Sequence, residues 1–572
     1  MLTAELVTTP GFRSDWSAMP GSQTALALAD AAQQLNTPLL VVSGQPRTSH
    51  QLLEACRFFL PDDWGPVVEF PGWEILPYEQ FSPHPDLISQ RLNILATLPG
   101  QGRGLIFTHV ATAMQRLPPQ SHLDSYGLVL KRHDRLDLDS LRTRLVTAGY
   151  TLVSQVLTHG EASIRGGVVD LFPMGSESPF RIDLFDDLVE SIKVFDPESQ
   201  RSTATLEEIR VLPAREFPTD PAAVSQFFRN YQTKFQANAA NAFLYRELSN
   251  GRVPGGIEFY LPLFFDQTAL LTDYLPQHAT VAYSADALEQ AQAFWNECDD
   301  RHAQRAGITE RPPLPPDDIF CRPEQLFAAF KSRSAIRFHT NQIAALEEPE
   351  YRVASHAPEP YARLAKRLEA SPARTLFVAD SAGRRELILE GLQRSGVHPE
   401  PVTSWTVFFD GTTRTAITTG QLDAGLDLDA PPIRVITEAE LFGSPGHRRQ
   451  RRPSRTPDAI GAVVRDLSEL RAGDAVVHVD HGVGSYVGLE TVSSGGLEGE
   501  FLIIAYAGGD RIYVPVTHLH LIHRYVGAET NPPLHKLGSP AWEKARQRAA
   551  KRVRDVAAEL LAIYARRAAR PG

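Results

Sequence analysis

Apolar residues change their spacing along this chain, and the changes divide it. Positions 24–34 carry apolar residues at helical spacing, and Leu39-Leu40-Val41-Val42 is a short continuous run, the pattern of a strand covered on both faces. A turn, Ser43-Gly44-Gln45-Pro46-Arg47-Thr48-Ser49, leads into another helix, and Ile106-Phe107 with residues 110–117 continue the α/β alternation. Residues 160–196 then switch to period two and predict three strands joined by short polar turns. Within 180–187, Phe180, Ile182 and Leu184 share one face, and Arg181, Asp183, Phe185 and Asp187 share the other. The first set suits a core. The second is charged, yet a Phe sits in its middle, which is the composition of an interface anchor. The alternative is a ring covered by a loop of its own chain. Arg165 precedes Gly166-Gly167, and glycines in a strand mark a bulge or a close backbone approach. That spacing brings a second Arg to the same surface.

The rest of the pattern gives the domain plan. Residues 1–125 form the first part of an α/β domain, and 126–212 an inserted α+β domain. In the insertion Asp137 or Asp139 caps a helix running to Thr147, Gly149 ends it, and Pro213 closes the domain. Residues 213–349 return to the first domain, with Thr219 or Asp220 capping a helix and 255–265 and the Tyr283 region as further pieces. Residues 350–452 form a further small α/β domain of no assigned role, followed by a linker at 453–471. The basic run His447-Arg448-Arg449-Gln450-Arg451-Arg452-Pro453-Ser454-Arg455 reads as solvated chain, with a DNA-backbone contact as the alternative. Residues 472–546 hold several short strands, with a hairpin across Gly508-Gly509-Asp510, and predict a small SH3-like or Tudor-like β-barrel. Its strand at 501–506 is apolar on both faces, more than a one-layer core needs. Residues 547–572 continue a helix whose stripe, Val553, Val556, Ala557, Leu560, Leu561 and Tyr564, implies a protein partner.

Composition excludes more than it assigns. A net charge of −11 argues against a chain whose whole surface binds nucleic acid. Three cysteines, far apart and without CxxC spacing, support neither a disulfide framework nor a zinc site, and His478 and His481 lack the further ligands a metal needs. No secretory leader and no long apolar span are visible, so a cytoplasmic chain is expected. The turn at 43–49 sits where a phosphate-binding loop would, but it has no Gly-Lys pair, and Pro46 has no N–H to offer an oxygen. A degenerate P-loop-like scaffold is expected, with no catalytic residue, metal or cofactor in this chain.

Two blocks carry a family resemblance. SIRGGVVDLFP and FRIDLFDDLVESIKVFDPES resemble the second domain of UvrB, and more closely the matching domain of the bacterial transcription-repair coupling factors (the Mfd family). The resemblance implies docking on UvrA through Arg165, Arg181 and Phe185, two of which the period-two pattern had already placed on one face. VVHVDHGVGSYVGLE, GEFLIIAY and RIYVPVTHLHLIHRY are similar to the RNA-polymerase-interacting domain of the same family and to CarD-type regulators. This implies β-strand addition to the polymerase β subunit, with Leu502 at an apolar contact position. PGWEILPYEQFSPHPDLISQRLNIL resembles the family's version of the first UvrB domain, without the long DNA-clamping hairpin. The resemblance further implies that this is the amino-terminal portion of an adaptor in transcription-coupled nucleotide excision repair. ATP, magnesium and most DNA contact would then belong to a translocase motor beginning after Gly572. The rival readings are a UvrB-like nucleic-acid-dependent ATPase and a DNA-binding clamp.

Overall fold

The computed structural model describes residues 11–339 (save 36, 198, 236–242 and 309), 351–442 (save 355–358), and 473–515 (save 479, 480, 495 and 496). It also describes residues 522–524, 534 and 536. The basic run at 447–455, the linker at 453–471 and the striped helix lie outside the described residues. Two compact units result, divided at Ser444 and Pro445.

In the first unit, Pro38–Ser43 is buried at every residue, as its unbroken apolar run requires. It lies near the middle of a six-stranded parallel sheet. The order is Arg13–Asp15, Ser334–Phe338, Thr280–Ser284, Pro38–Ser43, Gly104–His109 and Val67–Glu69. This sheet takes strands from both sides of residues 126–212, so one domain is built from two separated stretches. The apolar run at 255–265 is no strand. It forms a 3-10 helix, Ile257–Phe264, whose side chains fill the core.

The intervening stretch builds its own sheet. The order is Ser202–Leu206, Leu188–Phe195, Phe180–Phe185, Val168–Leu171, Glu161–Arg165 and Thr151–Leu152, antiparallel except for the last pair. Helix Leu138–Thr147 starts at Asp137, whose carboxylate accepts from the Ser140 N–H at 2.8 Å. Gly149, at φ 91°, turns the chain out of it. The strands that enter and leave this domain, Leu128–Lys131 and Glu208–Val211, pair antiparallel with each other at its base.

The third sheet, Glu400–Pro401, Thr415–Thr419, Arg374–Ala379, Pro432–Thr437 and Leu426–Asp429, is parallel except for its last pair. It is not an independent body. Trp405 and Phe408 share one continuous apolar cluster with Phe59, Leu39 and Val41 of the first sheet's layers. The Trp405 ring meets Phe59 edge-on at 5.2 Å. At the same junction the Ser22 N–H donates to the Gly425 carbonyl at 3.0 Å. Gly21, at φ 57°, comes so close to that carbonyl that a Cβ would collide with it.

The described part of the second unit is a five-stranded antiparallel sheet. Its order is Arg511–Pro515, Leu497–Ala505, Gly482–Ser494, Ala475–His478 and Ile522–Arg524. Its two edge strands are not paired with each other among the described residues, so what is described is an open sheet rather than a closed barrel.

Candidate partner-binding surfaces

Alternation along Phe180–Phe185 places the side chains as period two requires. Phe180 and Ile182 are buried in the main core, while Arg181, Asp183 and Phe185 lie on the opposite face. Phe185 stands 73% exposed. It is the first residue of a tight turn with Asp186 at φ 60°, and no loop of the described chain covers it. In the neighbouring hairpin Gly166 takes φ 57°, and the Gly167 carbonyl accepts from the Leu184 N–H at 2.7 Å. A Cβ on Gly167 would sit 3.0 Å from the Leu184 carbonyl, so the glycine pair makes both a turn and a close approach.

Both arginines converge on one carboxylate. Asp170, opposite Arg181 in the register, is 1% exposed. Arg181 grips it with two nearly parallel bonds, Nε to Oδ1 at 2.7 Å and Nη2 to Oδ2 at 2.9 Å. Its Nη1 donates to the Gln200 carbonyl at 3.1 Å, and its Cζ lies 4.9 Å from the centre of the Phe195 ring. The hydrogen bond to Asp170 raises the Arg181 pKa further. Arg165 reaches the same Asp170 through Nη2 alone, at 2.6 Å, and its side chain is 55% exposed. Beside them Asp183 takes bonds from Lys193 and Ser191, each at 2.8 Å. Burial acts to raise its pKa, but those bonds outweigh it and hold the carboxyl below its ordinary range. Arg165, Arg181 and Lys193 thus outnumber Asp170 and Asp183 by one beside an uncovered aromatic ring, while Asp187 in the adjoining turn pairs with Arg135 at 3.1 Å.

Leu502, the apolar contact position that the resemblance implies, is buried. Its side chain is 0% exposed and lies in the core of the second unit with Val476, Tyr486, Ile504, Val514 and Ile522. On the opposite face of the same strand Phe501 and Ala505 are half-buried and Ile503 is buried. Tyr513, paired with Ile503 on the edge strand, is exposed. The His478 and His481 rings lie 4.7 Å apart, and among the described residues no group of three His, Cys, Asp or Glu is placed to hold a metal.

One constellation escaped the sequence. Arg91 and Glu216 form an ion pair at 2.7 Å with both side chains out of solvent. Arg91 also donates to the Pro71 carbonyl at 2.7 Å and to Gln115, and lies 4.6 Å over the Phe70 ring, while Trp73 Nε1 donates to Glu216 at 2.8 Å. This cluster pins the aromatic, Pro-rich segment near residue 73 to the chain just after the insertion. The signal was present in Trp73 and in the Arg215-Glu216 pair, but nothing in either stretch names the other as its partner. Nearby, burial pushes the Glu258 carboxyl up to about 7 despite a bond from Ser82, and burial with Arg91 pushes His109 down to about 4.

At the turn after Pro38–Ser43, helix Pro46–Phe59 begins with Pro46. The Asp286 carboxylate packs so closely on Gly44 that a Cβ would overlap it.

Residues 128–217 match the UvrB interaction domain, 368–441 the MFD, D3 domain, and 470–526 the CarD-like/TRCF RID domain. The transcription-repair-coupling factor of Escherichia coli is 38% identical over 97% of this chain and 49% of its own length. Those of Myxococcus xanthus and Bacillus subtilis are 30% and 26% identical, over 98% and 97% of this chain. The chain thus spans about half the length of the curated relatives it matches.

Proposed function

We propose, from the premise that this chain belongs to the transcription-repair-coupling factors over the half of their length that it spans, that it is an adaptor in transcription-coupled nucleotide excision repair. The inserted domain recruits UvrA, and the sheet at residues 473–524 holds the β subunit of stalled RNA polymerase. The observation that carries the first half is the bare Phe185 ring beside two arginines anchored on a buried carboxylate. Uncovered aromatics next to arginine are the usual anchors of protein interfaces.

Polymerase is held by strand addition at an edge of the second unit's sheet, a small and incompletely closed barrel. Leu502 supports that edge from within the core, and Tyr513 is available to contact the partner. These residues hydrolyse no nucleotide and carry no cofactor. Pro46 and the Asp286 carboxylate at the degenerate loop support that reading. ATP, magnesium, translocation and most DNA contact belong to a motor elsewhere in the whole protein, which works in the cytoplasm.

Pull-down by tagged chain tests the assignment. Arg165→Ala and Phe185→Ala are expected to lose UvrA while retaining polymerase β. Normal UvrA capture by both variants removes the inserted domain from the recruiting role. Isothermal titration with ATP and magnesium tests the rival ATPase reading, and a saturable heat would favour it.

A further inference from the structure

Arg165 and Arg181 share a counter-ion but are held differently. Every guanidinium nitrogen of Arg181 has a partner inside the domain: Nε and Nη2 on Asp170, Nη1 on the Gln200 carbonyl. Its flat side also rests against Phe195, and only 22% of the side chain meets solvent. A group so committed must give up internal bonds before it can meet a partner, and each charge-assisted bond is costly to break. Arg165 commits only Nη2, and its Nε and Nη1 have no partner among the described residues. Asp170 is the element common to both, and its two oxygens are divided between them. Arg181 takes Oδ1 and shares Oδ2, on which Arg165 rests.

We propose that the two arginines of this face have different jobs: Arg165 is the arm that meets a carboxylate on the partner, and Arg181 is a positioning residue that acts through Asp170 to hold that arm in place. The inference rests on the UvrA-recruiting reading of this face. Without the Arg181 fork, the Asp170 carboxylate is free to rotate, and the half-exposed Arg165 follows it or returns to solvent. The fork geometry matters as well as the charge, because a lysine supplies one ammonium where the arginine supplies two parallel bonds. The partner surface that fits has a carboxylate for Arg165 at one hydrogen-bond length and an apolar pocket for Phe185.

A double-mutant cycle read by calorimetric titration of the full chain with UvrA separates the two jobs. Arg165→Ala and Arg181→Ala are each expected to weaken binding at least about tenfold, the scale of an interface hot spot. In the Arg165→Ala background, adding Arg181→Ala is expected to cost less than about twofold more, since a brace has nothing left to hold. Arg181→Lys, which keeps the charge and loses the fork, is expected to behave as Arg181→Ala. Asp170→Asn is expected to weaken binding in the parent and to change little in the Arg165→Ala background. Thermal melts run alongside show whether a variant still folds, and Gln200→Ala, which removes the side-chain Oε1 that Arg181 Nη2 reaches at 3.4 Å, replaces any that does not.

A full tenfold loss from Arg181→Ala in both backgrounds makes Arg181 an independent contact and overturns the division of labour. Wild-type binding by Arg181→Lys does the same, and so does an Arg165→Ala effect confined to less than twofold while Phe185→Ala is defective. If Arg165→Ala and Phe185→Ala both bind as the parent does, the recruiting reading itself is what fails.

Discussion

Glu258 illustrates how far a single buried side chain can make the fold depend on pH. Its folded-state carboxyl titrates near 7, against 4.5 for the free group, so the folded chain keeps a proton that the unfolded chain releases. Stability from this group is therefore present at low pH and is lost as pH rises through that window, by at most about 3 kcal/mol. His109, lowered to about 4, works in the opposite direction over an overlapping range, so the parent alone would mask the effect. The difference between Glu258→Gln and the parent isolates it. In urea titrations the variant's relative stability should climb from pH 4.5 to 7 and then level off. Arg91→Ala should cost about 3–5 kcal/mol in the same assay, because it strands Glu216 without a counter-ion in the interior. Neither cost could be read from the sequence. Trp73 and Glu216 are conspicuous there, but their pairing with Arg91 is a product of long-range packing. Arg181 and Phe185 were legible, because strand parity is a local rule and assigns a face without any knowledge of the fold.

At the level of the strand and the hairpin, the same rule assigns the faces of one strand and leaves those of another open. Phe180–Phe185 has an apolar side and a charged side, so parity alone decides which faces water. Phe185→Ala should accordingly change stability by less than about 0.5 kcal/mol while removing UvrA capture, a separation visible by comparing melts with pull-downs. Leu497–Ala505 has apolar residues on both sides of its described part, and parity cannot then say which side is the core. The structure puts Leu502 inside. Leu502→Arg should therefore collapse the amide dispersion of the second unit's sheet, with polymerase binding lost as a result. Tyr513→Ala should leave the spectrum intact and weaken polymerase binding on its own.

For the molecule as a whole, the plan of an interrupted α/β domain was readable, because helical and strand spacing resume after the period-two block. The dependence of the third sheet on the first was not. It rests on Trp405 seated against Phe59, two residues far apart in sequence with no local mark of their contact. Trp405→Ala should cost about 3–5 kcal/mol, and the loss should appear in hydrogen exchange at Pro38–Ser43 as well as at Thr415–Thr419. Protection lost in Thr415–Thr419 alone would show that the two sheets unfold separately. The base of the inserted domain has a mechanical consequence. Its incoming and outgoing strands are laced to each other, and the host stretches on either side end in neighbouring parallel strands, Arg13–Asp15 and Ser334–Phe338. Tension applied between residues 11 and 339 must shear that host pair before any load reaches the guest. A pull travelling along the chain would thus leave the docking face slack and intact until its scaffold had torn.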